Sequence, residues 1–75
     1  MRMDMRKMFG RNFKRLREVK GLTQEQVEVR SGLSQTYLSA LERGKRNPTL
    51  ITVYEISQAL GVHYLDLLQP NTDED

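Results

Sequence analysis

The sequence predicts a compact all-α domain of five short helices. Apolar residues recur every three or four positions through most of the chain, which is the spacing of one helical face, and no segment is predicted to be a strand. Hydroxyl side chains precede several of these segments and glycines follow them, as at helix starts and ends. With 75 residues, the chain is expected to form one small domain that buries only about 60% of its unfolded surface.

We expect the folded domain to span residues 8–69. Residues 1–7 mix methionine with charge and are expected to form a flexible N-terminus, the alternative being an early turn of the first helix. Residues 70–75 begin with a proline, which blocks helix continuation, and are expected to form an acidic disordered tail. So small a core supplies little net stability and the chain has no cysteine, so oligomerisation is a plausible additional source.

The first helix is predicted from Met8 to Lys20 and is ended by Gly21. Phe9, Phe13 and Leu16 lie at positions i, i+4 and i+7, on one helical face. We interpret the two phenylalanines as core residues rather than as a surface that stacks on bases, because so small a domain needs them to close its interior.

Two short helices follow, at about residues 24–30 and 35–43. Thr23 and Gln26 form a complete capping box at the first, whereas Ser34 supplies only the hydroxyl half at the second. Gly32 lies one residue past the first helix, where a left-handed backbone is needed. A connection of three or four residues makes the helices cross steeply. Residues 23–43 are therefore predicted to be a helix-turn-helix, whose second helix is presented to the major groove of DNA.

The remaining segments complete the domain. Thr49 is expected to cap a fourth helix that Gly61 ends, and its inward residues are Leu50, Val53, Ile56 and Leu60. Residues 63–68 are predicted to form a fifth helix, with Leu65 and Leu68 inward. Between helices three and four lies the basic loop 45–48, which suits phosphate contact; a simple exposed turn is the alternative.

Charge is distributed unevenly along the chain. The first 46 residues hold all twelve basic and five acidic residues, a net charge of +7, and the last 29 hold five acidic residues and no basic one. This asymmetry suggests a basic face for a polyanion and an acidic end turned away from it, against the alternative of ordinary solvated charge.

The ordered motifs of the chain resemble the Xre family of helix-turn-helix regulators, which share the fold of the phage lambda and 434 repressors. The resemblance covers roughly residues 9–68. It rests on Gly21-Leu-Thr-Gln24, Ser31-Gly-Leu-Ser34, Tyr37-Leu-Ser39, Leu41-Glu-Arg-Gly-Lys45, Asn47-Pro-Thr-Leu50 and Ala59-Leu-Gly-Val62.

The resemblance implies a homodimer that binds double-stranded DNA through the major groove, usually at palindromic operators. It places three residues of the third helix at base edges: Gln35, Thr36 and Ser39. Glutamine suits adenine and threonine suits thymine. The expected phosphate contacts are Gln24, Ser34, Tyr37, Arg43, Lys45, Arg46 and Asn47. For Tyr37, a half-buried ring against the second helix is the alternative.

Three positions of the pattern concern the scaffold. The resemblance implies a structural ion pair between Arg17 and Glu42, joining helices one and three. Four residues before Gly32 the family usually has alanine, and this chain has Glu28. Either helices two and three separate slightly there, or Glu28 pairs with a nearby cation, so the angle of the third helix depends on it. Val29 is expected to be exposed.

The dimer surface is expected on helices four and five. Ile51, Tyr54, Tyr64 and Leu67 are large apolar residues off the predicted inward faces. The alternative is that Tyr54 and Leu67 complete the core.

An enzyme is not expected. The single histidine, His63, lies three residues before Asp66, without an activated nucleophile or a third orienting group. We expect no metal site, cofactor or small-molecule ligand, and no apolar run has the roughly 20 residues of a membrane span. The expected function is a cytoplasmic, stand-alone regulator of its own promoter, with a neighbouring gene as a second candidate target, like phage repressors or restriction–modification controller proteins. The alternative is an antitoxin or adaptor that uses the helix-turn-helix as a scaffold for protein binding.

Overall fold

A computed structural model of the chain describes residues 4–70. The described residues form four α-helices and one short 3₁₀ helix, without a strand. The all-α class is therefore confirmed, but the predicted count of five α-helices is wrong. The elements are α1 (Met5–Val19), α2 (Gln24–Ser31), α3 (Gln35–Glu42), α4 (Leu50–Leu60) and the 3₁₀ helix Tyr64–Leu68.

Helix α1 begins three residues before the predicted start at Met8. Asp4 has an extended backbone and its carboxylate accepts hydrogen bonds from the amides of Arg6 (3.1 Å) and Lys7 (3.3 Å). These bonds satisfy two of the amides that a helix leaves unpaired at its first turn. Residues 5–7 thus belong to the helix rather than to a flexible N-terminus. Residues 1–3 and the predicted tail at 71–75 lie outside the described residues.

The other helix starts are capped by the predicted hydroxyls. Thr23 and Gln26 form the full capping box, with bonds of 3.1 Å and 2.8 Å between each side chain and the other's amide. Ser34 caps α3 by accepting from the Tyr37 amide, and Thr49 caps α4. Gly32 ends α2 with a φ of +78°, a left-handed conformation that only glycine adopts readily. Local chemistry therefore sets the turn between α2 and α3.

One apolar core joins all five elements. Its central side chains are Phe13, Val27, Leu38, Leu41, Ile56 and Leu67, each fully buried. Phe9 and Leu16 also contribute, so the predicted inner face of α1 packs as expected. Met8, the first residue of the predicted domain, is also buried in the interior.

Three apolar residues of α4 and the 3₁₀ helix are placed differently from the prediction. Leu67, expected on the dimer surface, is fully buried, whereas Leu65, expected inward, is 50% exposed. The segment winds as a 3₁₀ helix with three residues per turn, not as the predicted α-helix. Leu50, also expected inward, is 83% exposed at the first position of α4.

Two residues of α1 fix the position of its neighbours. Gly10 lies against the end of α3 so closely that a Cβ there would stand 2.5 Å from the Leu41 carbonyl oxygen and 2.6 Å from that of Glu42. The buried amide of Asn12 donates to the carbonyls of Leu67 (2.9 Å) and Gln69 (2.8 Å). Helix α1 therefore holds both α3 and the C-terminal segment in place.

Among residues 4–70, no helix combines the length and the apolar character needed to cross a membrane.

Candidate nucleic-acid interface

The outer side of α3 and the start of α2 meet around a shallow depression of about 270 Å³. Its lining residues are all polar: Gln24, Gln35, Thr36, Ser39 and Arg43. Gln35 and Thr36 are exposed and Ser39 is half-buried, so the three residues expected at base edges share one face of α3. Amide and hydroxyl groups of this kind can donate to and accept from base edges in the major groove.

The depression is backed by a network that joins three helices. Arg17 of α1 donates from Nε to Glu42 Oε2 (2.6 Å) and from Nη2 to Glu42 Oε1 (3.1 Å), which is the ion pair that the resemblance implies. Arg17 also donates to the Leu22 carbonyl at 2.8 Å. Only 13% of the Arg17 side chain and 5% of the Glu42 side chain are exposed. The hydrogen bond with Glu42 raises the pKa of Arg17 above its ordinary value, so the guanidinium stays charged.

Gln24 is a member of the same network. Its Nε2 donates to Glu42 Oε1 at 3.1 Å. The sequence predicted this residue as a phosphate contact through the start of α2; it lies at the edge of the depression with its side chain held by Glu42. The ion pair of the scaffold thus orients a side chain of the candidate interface.

Glu28, the residue that departs from the family pattern, has a hydrogen-bond partner that the sequence did not predict. Its carboxylate is half-buried, and Oε2 accepts a hydrogen bond from the backbone amide of Gln35 at 3.1 Å. The expectation was a helix separation or a cation partner. The bonded partner is instead an unpaired amide at the start of α3, which the sequence alone could not place within reach.

Tyr37 has the half-buried environment that was the alternative interpretation. Its ring packs against the core, and the Arg46 guanidinium carbon lies 5.1 Å from the ring centroid. A cation at this distance over an aromatic face is attracted by the ring electrons. Two of the predicted phosphate contacts are therefore in contact with each other, which the sequence did not reveal.

The loop after α3 is held against α1. Arg43 caps α3, and the amide of Lys45 donates to the Ala40 carbonyl at 2.9 Å. Gly44 is buried with a φ of +73°, and a Cβ there would lie 2.9 Å from Lys7 Cγ. Lys45, Arg46 and Asn47 are exposed. The close packing of Gly44 fixes where these three residues leave the end of α3.

A second face of the molecule is apolar. Of the residues predicted at the dimer surface, Ile51, Tyr54 and Tyr64 are exposed, and Leu67 is excluded because it is in the core. The Tyr54 and Tyr64 rings lie with centroids 6.5 Å apart. The exposed Leu50 and Leu65, both predicted inward, add to the apolar surface of the same two elements, α4 and the 3₁₀ helix.

His63 has a local structural role. Its Nδ1 accepts the amide of Leu65 at 3.1 Å and so caps the 3₁₀ helix, while its ring lies 4.4 Å from that of Tyr64. Within residues 4–70, no three His, Asp or Glu side chains are grouped closely enough to hold a metal ion.

The fold, the capped turn between α2 and α3, and the polar outer face of α3 define a helix-turn-helix protein. The sequence profile of the helix-turn-helix family matches residues 13–67, well over half of the chain. The chain belongs to the helix-turn-helix family.

Its relatives are regulators and controller proteins. It is 68% identical over 72 residues to the uncharacterized HTH-type transcriptional regulator y4dJ of Sinorhizobium fredii, covering 96% of this chain and 92% of that protein. The restriction–modification controller protein C.AhdI from Aeromonas hydrophila superposes with a TM-score of 0.80 at 35% identity, covering 83% of this chain and 94% of that one. The tetramer of the controller protein C.Esp1396I with its 35 base-pair operator matches with a TM-score of 0.80 at 30% identity, covering 89% and 92%.

Proposed function

We propose that this chain is a sequence-specific DNA-binding transcriptional regulator, of the controller-protein kind, that acts as a homodimer on a palindromic operator in its own promoter. The observation that carries the proposal is the depression on α3, where exposed Gln35 and Thr36 and half-buried Ser39 share one outer face. The similarity to C.Esp1396I, whose tetramer is in complex with its operator, supports it.

The proposed roles divide by chemistry. Gln35, Thr36 and Ser39 contact base edges, since amides and hydroxyls can read the donor and acceptor pattern of the major groove. Phosphates are held by charged and polar groups around them, which position the protein without reading sequence. The proposed phosphate contacts are Gln24, Ser34, Tyr37, Arg43, Lys45, Arg46 and Asn47.

The three cations Arg43, Lys45 and Arg46 give a quantitative expectation. Six cations per dimer that each neutralise a phosphate give a slope of log K against log salt of about −5.4, so doubling the salt weakens binding roughly 40-fold. The measurement is a mobility shift across a salt series.

The decisive experiment compares a duplex from upstream of the protein's own gene with a shuffled duplex of equal length and composition. We expect at least about 1,000-fold tighter binding to the upstream duplex at physiological salt. Equal affinity for the two duplexes would refute sequence-specific regulation through this site.

The proposed dimer contact is the apolar surface of α4 and the 3₁₀ helix. Leu50, Tyr54 and Tyr64 line a groove of about 260 Å³ on that surface, with Val53 and Leu68 beneath. Exposed aromatic and leucine side chains in one patch are typical of protein interfaces. A two-fold axis here would give two copies of α3, which a palindromic operator requires at half-sites about 34–36 Å apart.

Sedimentation of Tyr54→Ala tests this surface. We expect the variant to be monomeric at concentrations where the wild type is a dimer. Val29→Ala is the control, because Val29 is an equally apolar and 85% exposed side chain on α2, away from the patch. Unchanged dimerisation of Tyr54→Ala would remove α4 and the 3₁₀ helix as the interface.

A further inference from the structure

Two side chains from different parts of the chain accept hydrogen bonds from the first-turn amides of α3. A helix leaves the amides of its first turn without partners inside the helix. Ser34 Oγ accepts the Tyr37 amide at 3.2 Å, and Glu28 Oε2 accepts the Gln35 amide at 3.1 Å. Ser34 is the residue directly before α3, whereas Glu28 belongs to α2 and lies seven residues before Gln35 in the chain.

This difference gives Glu28 a role that Ser34 cannot have. The Ser34 bond joins neighbours within one turn, so it stabilises α3 but leaves its direction relative to α2 unchanged. The Glu28 bond crosses the connection between the two helices and ends on the amide of Gln35. It therefore opposes rotation or displacement of the first turn of α3 against α2.

The Glu28 carboxylate also occupies the positive end of the α3 dipole. A negative charge is stabilised there, and a DNA phosphate is favoured at the same place when it is free. With Glu28 in this position, the Gln35 amide is not available to a phosphate, and the proposed phosphate contact of Ser34 is made by its side chain. The exposed side chain of Gln35 remains available to contact a base.

We propose that Glu28 is a positioning residue for DNA recognition: its bond to the Gln35 amide fixes the first turn of α3 so that the Gln35 side chain meets one particular base pair. The inference rests on the proposed function, because it assigns the way in which that site obtains part of its specificity.

The acceptor atom and the negative charge can be separated by substitution. Glu28→Gln keeps an amide oxygen that can accept from Gln35 but removes the charge. Glu28→Ala removes both. Glu25→Ala is the matched control, since Glu25 is an exposed glutamate one turn earlier on α2 and its replacement changes the charge by the same amount.

The first measurement uses the full chain without DNA. Amide hydrogen exchange of Gln35, followed by NMR, reports the bond directly. A net hydrogen-bond contribution of about 1 kcal/mol corresponds to roughly fivefold, so Glu28→Ala should exchange about fivefold faster than the wild type. Glu28→Gln and Glu25→Ala should stay within about twofold. Unchanged exchange in Glu28→Ala overturns the inference.

The second measurement uses DNA. A duplex selected by the wild-type protein from a random pool is compared with all its single base-pair variants. Glu28→Ala should lose about fivefold of the discrimination at one position in each half-site, the position that Gln35→Ala also affects, whereas Glu28→Gln should keep it. Equal loss in both Glu28 variants, or loss spread evenly over all positions, overturns the inference.

The two measurements separate this inference from the proposed function. If the wild-type protein selects no sequence from the pool, the proposed function fails and the recognition role of Glu28 fails with it. Normal selection by the wild type, together with full discrimination by Glu28→Ala, overturns the role of Glu28 alone.

Discussion

Replacing Glu42 with alanine removes the acceptor that α1 and α2 share. The Arg17 guanidinium would lose two hydrogen bonds and remain 87% buried, with only the Leu22 carbonyl as a partner. Breaking a buried ion pair from one side costs about 3–5 kcal/mol. We expect about 3 kcal/mol, the lower end, because the Leu22 bond remains. In a domain of this size that corresponds to a fall in Tm of roughly 12–24 °C.

Thermal unfolding followed by circular dichroism, at one fixed protein concentration, measures this loss. Glu55→Ala is the control, an exposed glutamate on α4 whose replacement should change stability by no more than about 0.5 kcal/mol. Adding Arg17→Met to Glu42→Ala should restore much of the Tm, because no unpaired buried charge then remains. A Glu42→Ala variant as stable as Glu55→Ala, or a double variant no better than the single one, would refute the reasoning.

The sign of the pH dependence follows from the raised pKa of Arg17. A group with a raised folded pKa contributes stability that is complete below its unfolded pKa, which for arginine lies far above neutral pH, and that is lost only as the pH rises through the folded value. The Tm difference between wild type and Glu42→Ala should therefore be constant from neutral to moderately alkaline pH. A decline over that range would show that Arg17 titrates early.

Three further outcomes are expected. Gly10→Ala should lower the urea midpoint by the equivalent of about 1–3 kcal/mol, because the new Cβ would lie 2.5 Å from a backbone oxygen; an unchanged midpoint would disprove the close approach. The hydrogen bond from the Lys7 amide is the main cause that lowers the pKa of Asp4. The Asp4 cap should therefore stabilise α1 fully above the ordinary aspartate pKa and lose that effect as the pH falls through the lowered pKa. Compared with the wild type, Asp4→Ala should show faster amide exchange in the first turn at neutral pH and equal exchange in strong acid. Lys45→Ala should weaken all duplexes alike and reduce the salt slope by about 1 per protomer, whereas Gln35→Ala should alter sequence preference; the reverse pattern would contradict this division of roles.

The parts of the fold that could be predicted depend on local chemistry. A cap, a left-handed glycine and an apolar spacing act within four or five residues, so the sequence shows them directly. This is why the starts of α2, α3 and α4 coincide with Thr23, Ser34 and Thr49. The start of α1 was missed because a single aspartate among methionines and charges, Asp4, was not interpreted as a cap.

The C-terminal segment shows where periodicity stops being informative. Five residues make fewer than two turns, so α-helical and 3₁₀ periods cannot be distinguished from the sequence. Neither period by itself selects Leu67 over Leu65 as the inward residue, because Leu65 and Leu68 share a face in both. The 3₁₀ segment is instead fixed from a distance by Asn12, which donates to the carbonyl of Leu67 within it and to that of Gln69 just after it, across more than fifty residues of sequence.

The candidate site divides in the same way. The set of residues around the depression followed from their spacing on α3 and from the family resemblance. The contacts that position these residues could not be predicted from the sequence, because each joins positions that are apart in the chain. They are the contacts of Glu28 with the Gln35 amide, of Arg46 with the Tyr37 ring, and of Gln24 with Glu42. A pattern within one helix carries no information on which atom of another helix lies three ångströms away.

The Arg17–Glu42–Gln24 network links scaffold and interface through one carboxylate. The Gln24 amide has two N–H donors, and only one of them is needed for the bond to Glu42 Oε1. The other remains available to a phosphate at the edge of the depression. Because Glu42 is itself fixed by two bonds from Arg17, much of the rotamer entropy that Gln24 would lose on binding is already lost in the free protein. A substitution of Arg17 would therefore change the candidate interface at Gln24, although Arg17 lies behind that surface.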